Sequence, residues 1–129
     1  MEGLAVTVLL RHDSPEGTGH YDWLLESPED PGGALIAFRV DTRIDEPGAM
    51  GFSGVRMPDH RRVYLTYEGE IGGNRGTVAR VAEGRCRFHW LAAAGVRVTV
   101  TFRGRSRTWD GRLAGEGGRW EFQAAPIDP

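Results

Sequence analysis

The stretch HYDWLLE, residues 20–26, decides the fold. Tyr21, Trp23 and Leu25 fall two apart, with His20, Asp22, Leu24 and Glu26 between them. A repeat of two marks a strand, whose successive side chains point to opposite faces, rather than a helix with its period of about 3.6. His20 and Asp22 therefore share one face, and Tyr21 and Trp23 point the other way, into the expected core.

The same alternation runs through most of the chain. Leu4, Val6, Val8 and Leu10 alternate with Ala5, Thr7 and Leu9. Further runs are Ala34–Val40, Arg61–Tyr67, Gly76–Ala82, Arg85–Leu91, Val96–Arg103, Thr108–Leu113 and Arg119–Gln123. They are short and punctuated by Gly, Pro and Asp, as in Ser27–Gly33, Asp45–Gly51 and Gly72–Gly76, the last the tightest turn. Helix signals are almost absent. The pattern predicts an all-β, antiparallel sandwich or small barrel, with a frayed tail over Ala124–Pro129.

A chain of 129 residues makes one domain with one core, and residues 1–129 are read as that single domain. No apolar run approaches the roughly 20 residues that span a bilayer. Met1–Leu10 has no basic residue and no cleavage pattern, and Cys86 is the one cysteine. A cytoplasmic protein without a disulfide or a membrane anchor is expected. Net charge is −2, which argues against coating nucleic acid by bulk electrostatics. The charge is uneven: residues 1–52 hold ten acidic and three basic side chains, and residues 53–129 hold eight and thirteen. All 16 cations are arginine. Arginine forks onto phosphate, although a compositional bias gives the same count.

Three groups of residues carry chemistry. His12 follows the first strand beside a Gly/Ser/Pro loop, and His20 and Asp22 share a strand face. Two imidazoles and a carboxylate make a facial set that leaves positions open on a divalent ion such as Mn²⁺. Asp59-His60-Arg61-Arg62-Val63-Tyr64-Leu65, taken as a strand, puts His60, Arg62 and Tyr64 on one polar face and Val63, Leu65 and Tyr67 on the other. An imidazole can exchange a proton near neutral pH, so His60 could act as a general acid or base, while a solvated outer face is the plainer reading. Arg85, Arg87 and His89 alternate with Cys86, Phe88 and Trp90, and Arg103, Arg105 and Arg107 flank Gly104. Both rows are taken as exposed surface, with Cys86 in the core. No phosphate-binding loop, dinucleotide fingerprint, nucleophile elbow or paired-cysteine zinc motif is present.

The order His12, His20-Tyr21-Asp22-Trp23-Leu24-Leu25-Glu26, Asp59-His60, Tyr64 and Tyr67-Glu68-Gly69 resembles the 3′-phosphoesterase domain of bacterial DNA ligase D, with its HYDFRLE and DHPLDY…FEG segments, and its stand-alone, single-domain relatives. The resemblance implies a small antiparallel β-barrel of about eight strands and a Mn²⁺-dependent enzyme. Such an enzyme removes a 3′-ribonucleoside and then the 3′-phosphate from DNA ends, with a DNA ligase or polymerase acting afterwards in trans. It would have His12, His20 and Asp22 hold the metal, and His60 and Tyr64 contact the phosphate. The family's arginine after the aspartate is Leu24 here, a second arginine falls near Phe52, and a lysine falls near Thr42. Arg56 shares the strand face of Phe52, Arg43 adjoins Thr42, and Arg62 and Arg75 lie near, so Arg56, Arg62 and Arg75 are expected to bind phosphate. Two other readings stand beside it. One is a non-catalytic metal-bearing module that binds phosphorylated or nucleic-acid ends. The other is a small-molecule phosphatase or cyclic phosphodiesterase, which suits the near-neutral charge.

Overall fold

The structure is a computed structural model that describes residues 5–46, 50–92 and 95–125. Leu4 at the start of the first run, the middle of the turn expected at 45–51 and the end of the expected frayed tail lie outside the described residues. The strands are β1 (Ala5–Asp13), β2 (Gly19–Glu26), β3 (Leu35–Val40), β4 (Gly51–His60), β5 (Gly69–Glu70), β6 (Thr77–Ala92), β7 (Gly95–Phe102), β8 (Arg105–Leu113) and β9 (Arg119–Ala124). Eight of them close a ring in the order β1-β2-β3-β4-β9-β8-β7-β6, with β6 pairing back onto β1 and every pairing antiparallel. Closure leaves no exposed sheet edge on the ring. The two-residue β5 adds to β6 outside it. Among the described residues no helix is long and apolar enough to cross a membrane.

The ring is two meanders, β1–β4 and β6–β9, joined by the pairings β4–β9 and β1–β6. Gly76–Ala82 and Arg85–Leu91, read from sequence as two runs, lie, but for Gly76, in the single strand β6. Its first half pairs with β1 and its second with β7, so Glu83 and Gly84 bridge the runs without a turn. The inward residues fill the barrel. The Trp23 ring stands 5.9, 5.8 and 5.6 Å from those of Phe38, Phe52 and Phe122. Its indole N–H donates to Thr7 Oγ1 (2.9 Å), and that hydroxyl donates to Leu24 O (2.8 Å), which satisfies these two side chains in the interior. Cys86 is in this core, as expected, and burial there, with the charge of Glu26 adding to it, pushes its thiol up to about 12.

Arg61–Tyr67 is not a strand. After β4 ends at His60, Arg62–Leu65 form a 3₁₀ turn, with the Tyr64 and Thr66 N–H groups donating to Arg61 O and Val63 O. The chain must here cross from β4 to β6 over the outer faces of β3, β2 and β1. Tyr64 and Leu65, adjacent in sequence, both pack on Val8, Leu10, Leu24, Leu35, Ala37 and Val78. Adjacent residues of a strand face opposite ways, so only a helical turn brings both to one surface. The barrel thus has a second, outer apolar cluster, which includes Leu24.

One end is stoppered by the segment after β3, with Ile44 buried and Asp45 held by Arg43 (Nη2–Oδ2, 2.7 Å) and Arg103 (Nη1–Oδ2, 2.6 Å). Arg103 and Gly104 form a two-residue turn with φ of 51° and 77°, the paired positive values that suit the twist of a hairpin. Arg103 and Arg105 are exposed, as expected, although Arg103 is paired with Asp45. Arg107 is half-buried, its guanidinium 4.8 Å from the centre of the buried Trp109 ring. Arg85, Arg87 and His89 are exposed, as expected.

Two outcomes are expected. The hydrogen bonds from Arg43, then Arg103, hold the Asp45 carboxyl below its ordinary value despite burial. A depressed folded value contributes stability above the unfolded value of about 3.9 and loses it as pH falls through the folded value. Asp45→Asn should therefore lose roughly 3 kcal/mol at pH 7, the low end for a broken buried pair because both arginines keep solvent contact. In urea titrations the gap to wild type should narrow steadily below about pH 4. Cys86 should resist iodoacetamide at pH 8 in the native protein and react fully in denaturant, as mass spectrometry would show.

Candidate metal centre

The β1–β2 hairpin builds the centre. β1 runs on through His12 to Asp13, so His12 lies within a strand and not just past its end. The pairing sets His12 directly opposite His20, and Leu10 opposite Asp22. Residues opposite each other share a face, as do residues two apart, so His12, His20 and Asp22 meet on the outer wall of the barrel. His12 Nδ1 is 3.2 Å from His20 Nε2 and 3.8 Å from Asp22 Oδ2, and His20 Nε2 is 3.3 Å from Asp22 Oδ1.

The side chains around the three atoms prepare them as ligands. His12 Nε2 is 2.8 Å from the Arg75 carbonyl, which only accepts, so Nε2 carries the proton and Nδ1 presents its lone pair to the cluster. A backbone carbonyl on the far nitrogen is the usual device for orienting a ligating imidazole. Asp22 is 5% exposed, and its Oδ1 has no partner with hydrogen-bond geometry, the 3.3 Å approach of His20 notwithstanding. A buried carboxylate oxygen with no donor is costly unless a cation meets it. Burial pushes the His20 imidazole below its ordinary value, against the pull of Asp22, and Arg39 and His12 push the same way. The neutral imidazole is the form that ligates. Two donors held at right angles about 2.1 Å from an ion lie about 3 Å apart, so the three residues fit a divalent metal.

The Arg75 carbonyl reaches His12 because of Gly76. Gly76 has φ +97°, and a Cβ there would stand 1.9 Å from Asp13 O, so only glycine lets the β5–β6 turn lie against the end of β1.

An open cleft of about 480 Å³ lies between this wall and the crossover. His12 and Asp22 form one side, Leu10, Ile71 and Val78 the apolar floor, and Asp59, His60, Arg61, Tyr64 and Arg75 the other side. His60 Nδ1 donates to Pro58 O (2.9 Å), which fixes the ring and leaves Nε2 clear of the main chain. The His60 and Tyr64 rings are 6.0 Å apart. His60 and Tyr64 thus share the cleft through the 3₁₀ turn and not through a strand face. That turn points Arg62 elsewhere, to an ion pair with Glu26. Burial raises the Glu26 carboxyl, but the Val6 N–H and Arg62 carry it below its ordinary value. Arg56 shares the face of Phe52, as expected, but that face is inward. Its guanidinium lies 5.7 Å from the Phe38 and Trp90 ring centres and pairs with Asp59. Arg75 reaches the cleft, with its Nε donating to Gly72 O (2.6 Å). Arg43 is committed to Asp45.

Arg61 takes the place that the strand reading gave to Arg62, its guanidinium 5.7 Å from the Tyr64 ring centre. Its sequence signal is position alone, next to His60.

Mn²⁺ titration followed by electron paramagnetic resonance should show binding that His20→Ala abolishes. Gly76→Ala, which pushes the Arg75 carbonyl off His12, should weaken affinity about 10–100-fold. Arg75→Ala keeps that carbonyl and should leave affinity little changed; a loss equal to that of Gly76→Ala would sink the assignment of the main chain as the orienting group.

No protein-family model matches the chain, and no curated protein sequence matches it.

Proposed function

We propose that the protein is a divalent-metal phosphoesterase, working with Mn²⁺ on the 3′ ends of nucleic acid. The observation that carries this is the buried, partnerless Asp22 oxygen beside two imidazole nitrogens, opening onto a cleft whose far side holds a histidine, a tyrosine and an arginine. A divalent ion held there would polarise a phosphoryl oxygen and orient a nucleophile. The protein groups do the rest. Arg61 meets the phosphate charge, and the Tyr64 hydroxyl donates to a phosphate oxygen. His60, held by Pro58 O through Nδ1, delivers a proton from Nε2 to the leaving oxygen when its ring is charged. The product, a 3′-hydroxyl end, is what a polymerase or DNA ligase acting in trans would take up.

A second reading is favoured by the placement of Arg62 and Arg56, neither of which lines the cleft. With two expected phosphate ligands elsewhere, the centre would bind a phosphorylated end without cleaving it.

Primer–templates ending in a 3′-ribonucleotide or a 3′-phosphate would be incubated with the protein and Mn²⁺, and the products resolved on a denaturing gel. Wild type should trim both. His20→Ala should be inactive, and His60→Ala should be slower by about 10²–10⁴ with metal affinity intact. Intact substrate with retained metal binding would leave the binding module. Hydrolysis of a small phosphodiester such as bis(p-nitrophenyl) phosphate, but not of DNA, would leave the small-molecule enzyme.

A further inference from the structure

On β3, Arg39 is exposed while its neighbours Leu35, Ile36, Ala37, Phe38 and Val40 are all buried. Leu35 and Ala37 face outward beneath the crossover, and Arg39 is the next outward position, where that cover stops. The β2–β3 register sets Arg39 directly opposite Asp22. Side chains opposite each other on antiparallel strands start about 5 Å apart, so the guanidinium arises beside the candidate metal centre. Most cations near an acid here are paired with one: Arg11 with Asp13, Arg43 with Asp45, Arg62 with Glu26, Arg119 with Glu121. The Arg39 guanidinium makes no hydrogen bond or ion pair with any described residue, even with a buried carboxylate opposite it. Arg87, Arg105 and Arg112 are exposed as well, but on β6 and β8, which do not carry the centre.

A second groove, of about 450 Å³, adjoins the centre on the side away from the first cleft. The centre stands between the two, with His12 and Asp22 lining the first and His20 the second. Arg39 borders the second groove, over a lining that includes Tyr21, Val40 and Val55. The other charged groups there are satisfied. Arg119 is paired with Glu121, and Asp41 accepts from the Thr42 hydroxyl and the Ser53 N–H. Arg39 is thus the cation of the groove that no carboxylate holds, above a largely apolar bed. A phosphate with one organic substituent fills only one concavity, and a phosphate within a chain has a substituent for each.

We infer that Arg39 is the residue that selects a polynucleotide, gripping a backbone phosphate upstream of the reacting one while the second groove holds the adjoining nucleotide. This rests on the phosphoesterase reading for the reacting phosphate, and the binding of a strand can be measured without turnover. Arg39 touches no other side chain by hydrogen bond, so Arg39→Gln should keep the thermal midpoint of the wild type, and with one cation fewer beside the centre it should bind Mn²⁺ no more weakly.

The test measures anisotropy of a 5′-fluorescein oligodeoxynucleotide bearing a 3′-phosphate, in EDTA, at several salt concentrations, for wild type, Arg39→Gln and Arg39→Lys. Arg39→Gln should bind about tenfold more weakly. Its plot of log affinity against log salt should be shallower by about 0.7, the share of one phosphate on a single strand. Arg39→Lys should retain the slope. With Mn²⁺, Arg39→Gln should raise KM for the oligonucleotide about tenfold with kcat nearly unchanged, and leave hydrolysis of a nucleoside 3′-monophosphate unaffected. Equal affinity and salt slope in Arg39→Gln and wild type would overturn the inference even if wild type cleaves DNA. Equal loss on the oligonucleotide and the monophosphate would overturn it too, because Arg39 would then hold the reacting phosphate itself. Arg39-dependent strand binding with no turnover in wild type would uphold the groove and sink the phosphoesterase reading.

Discussion

The constraint on which the rest depends is the passage from β4 to β6 across the outside of the barrel. Closing two meanders into one ring puts the end of β4 and the start of β6 on opposite sides of β1–β3. The connecting chain must therefore lie across three strands, and it is held there by burying Tyr64, Leu65 and Ile71 on their outer faces. Where it covers the wall, outward positions are apolar: Val8, Leu10, Leu24, Leu35, Ala37. Where the cover ends, one pair of residues further along each strand, they become His12, Asp22 and Arg39. The candidate site is the border of that cover. Its two sides, wall and crossover, belong to different parts of the chain and are brought together by apolar burial, which is directionless and leaves the polar atoms to set the geometry.

That placement also sets the electrostatics. A carboxylate on an ordinary outer barrel face would be solvated, and Asp22 would then have no call for a cation. Beneath the edge of the crossover it is nearly enclosed, with one oxygen left without a donor. The same enclosure holds the His20 imidazole below its ordinary value against the attraction of Asp22. The polar discomfort of the metal-free centre and its fitness for a divalent ion are thus one fact: the energy spent desolvating Asp22 is what a bound cation returns.

Much of this was legible in the chain because it rests on a period of two. Tyr21 and Trp23 inward, His20 and Asp22 outward, Cys86 and Phe88 inward against Arg85 and Arg87 were all readable from parity. Parity fails where a face is covered by something other than the sheet. Leu24 follows His20 and Asp22 on the polar side by spacing, yet it is wholly buried because the crossover lies on it. Val63, Leu65 and Tyr67 alternate as a strand would, but the segment has no neighbouring strand to pair with and bonds to itself instead. Arg61 and Arg39 carry no such signal for the same reason. Their importance comes from where the crossover stops, and no local pattern encodes that.

The arginine content shows why composition was a weak guide to the site. A chain whose 16 cations are all arginine invites a phosphate-binding reading, but much of that charge is spent on the fold. Arg43 and Arg103 fasten the stopper at Asp45, Arg56 and Arg107 lie over interior rings, and Arg62 ties the crossover to β2 through Glu26. Each of these uses what distinguishes arginine from lysine, a planar fork that can pair with a carboxylate and lie flat on a ring. The same property makes an arginine useful to phosphate only when no carboxylate or ring already holds it. Abundance therefore says little, and the informative cation is one that stands beside a carboxylate and is not paired with it. Arg39 opposite Asp22 meets that description because the carboxylate it faces is turned toward two imidazoles.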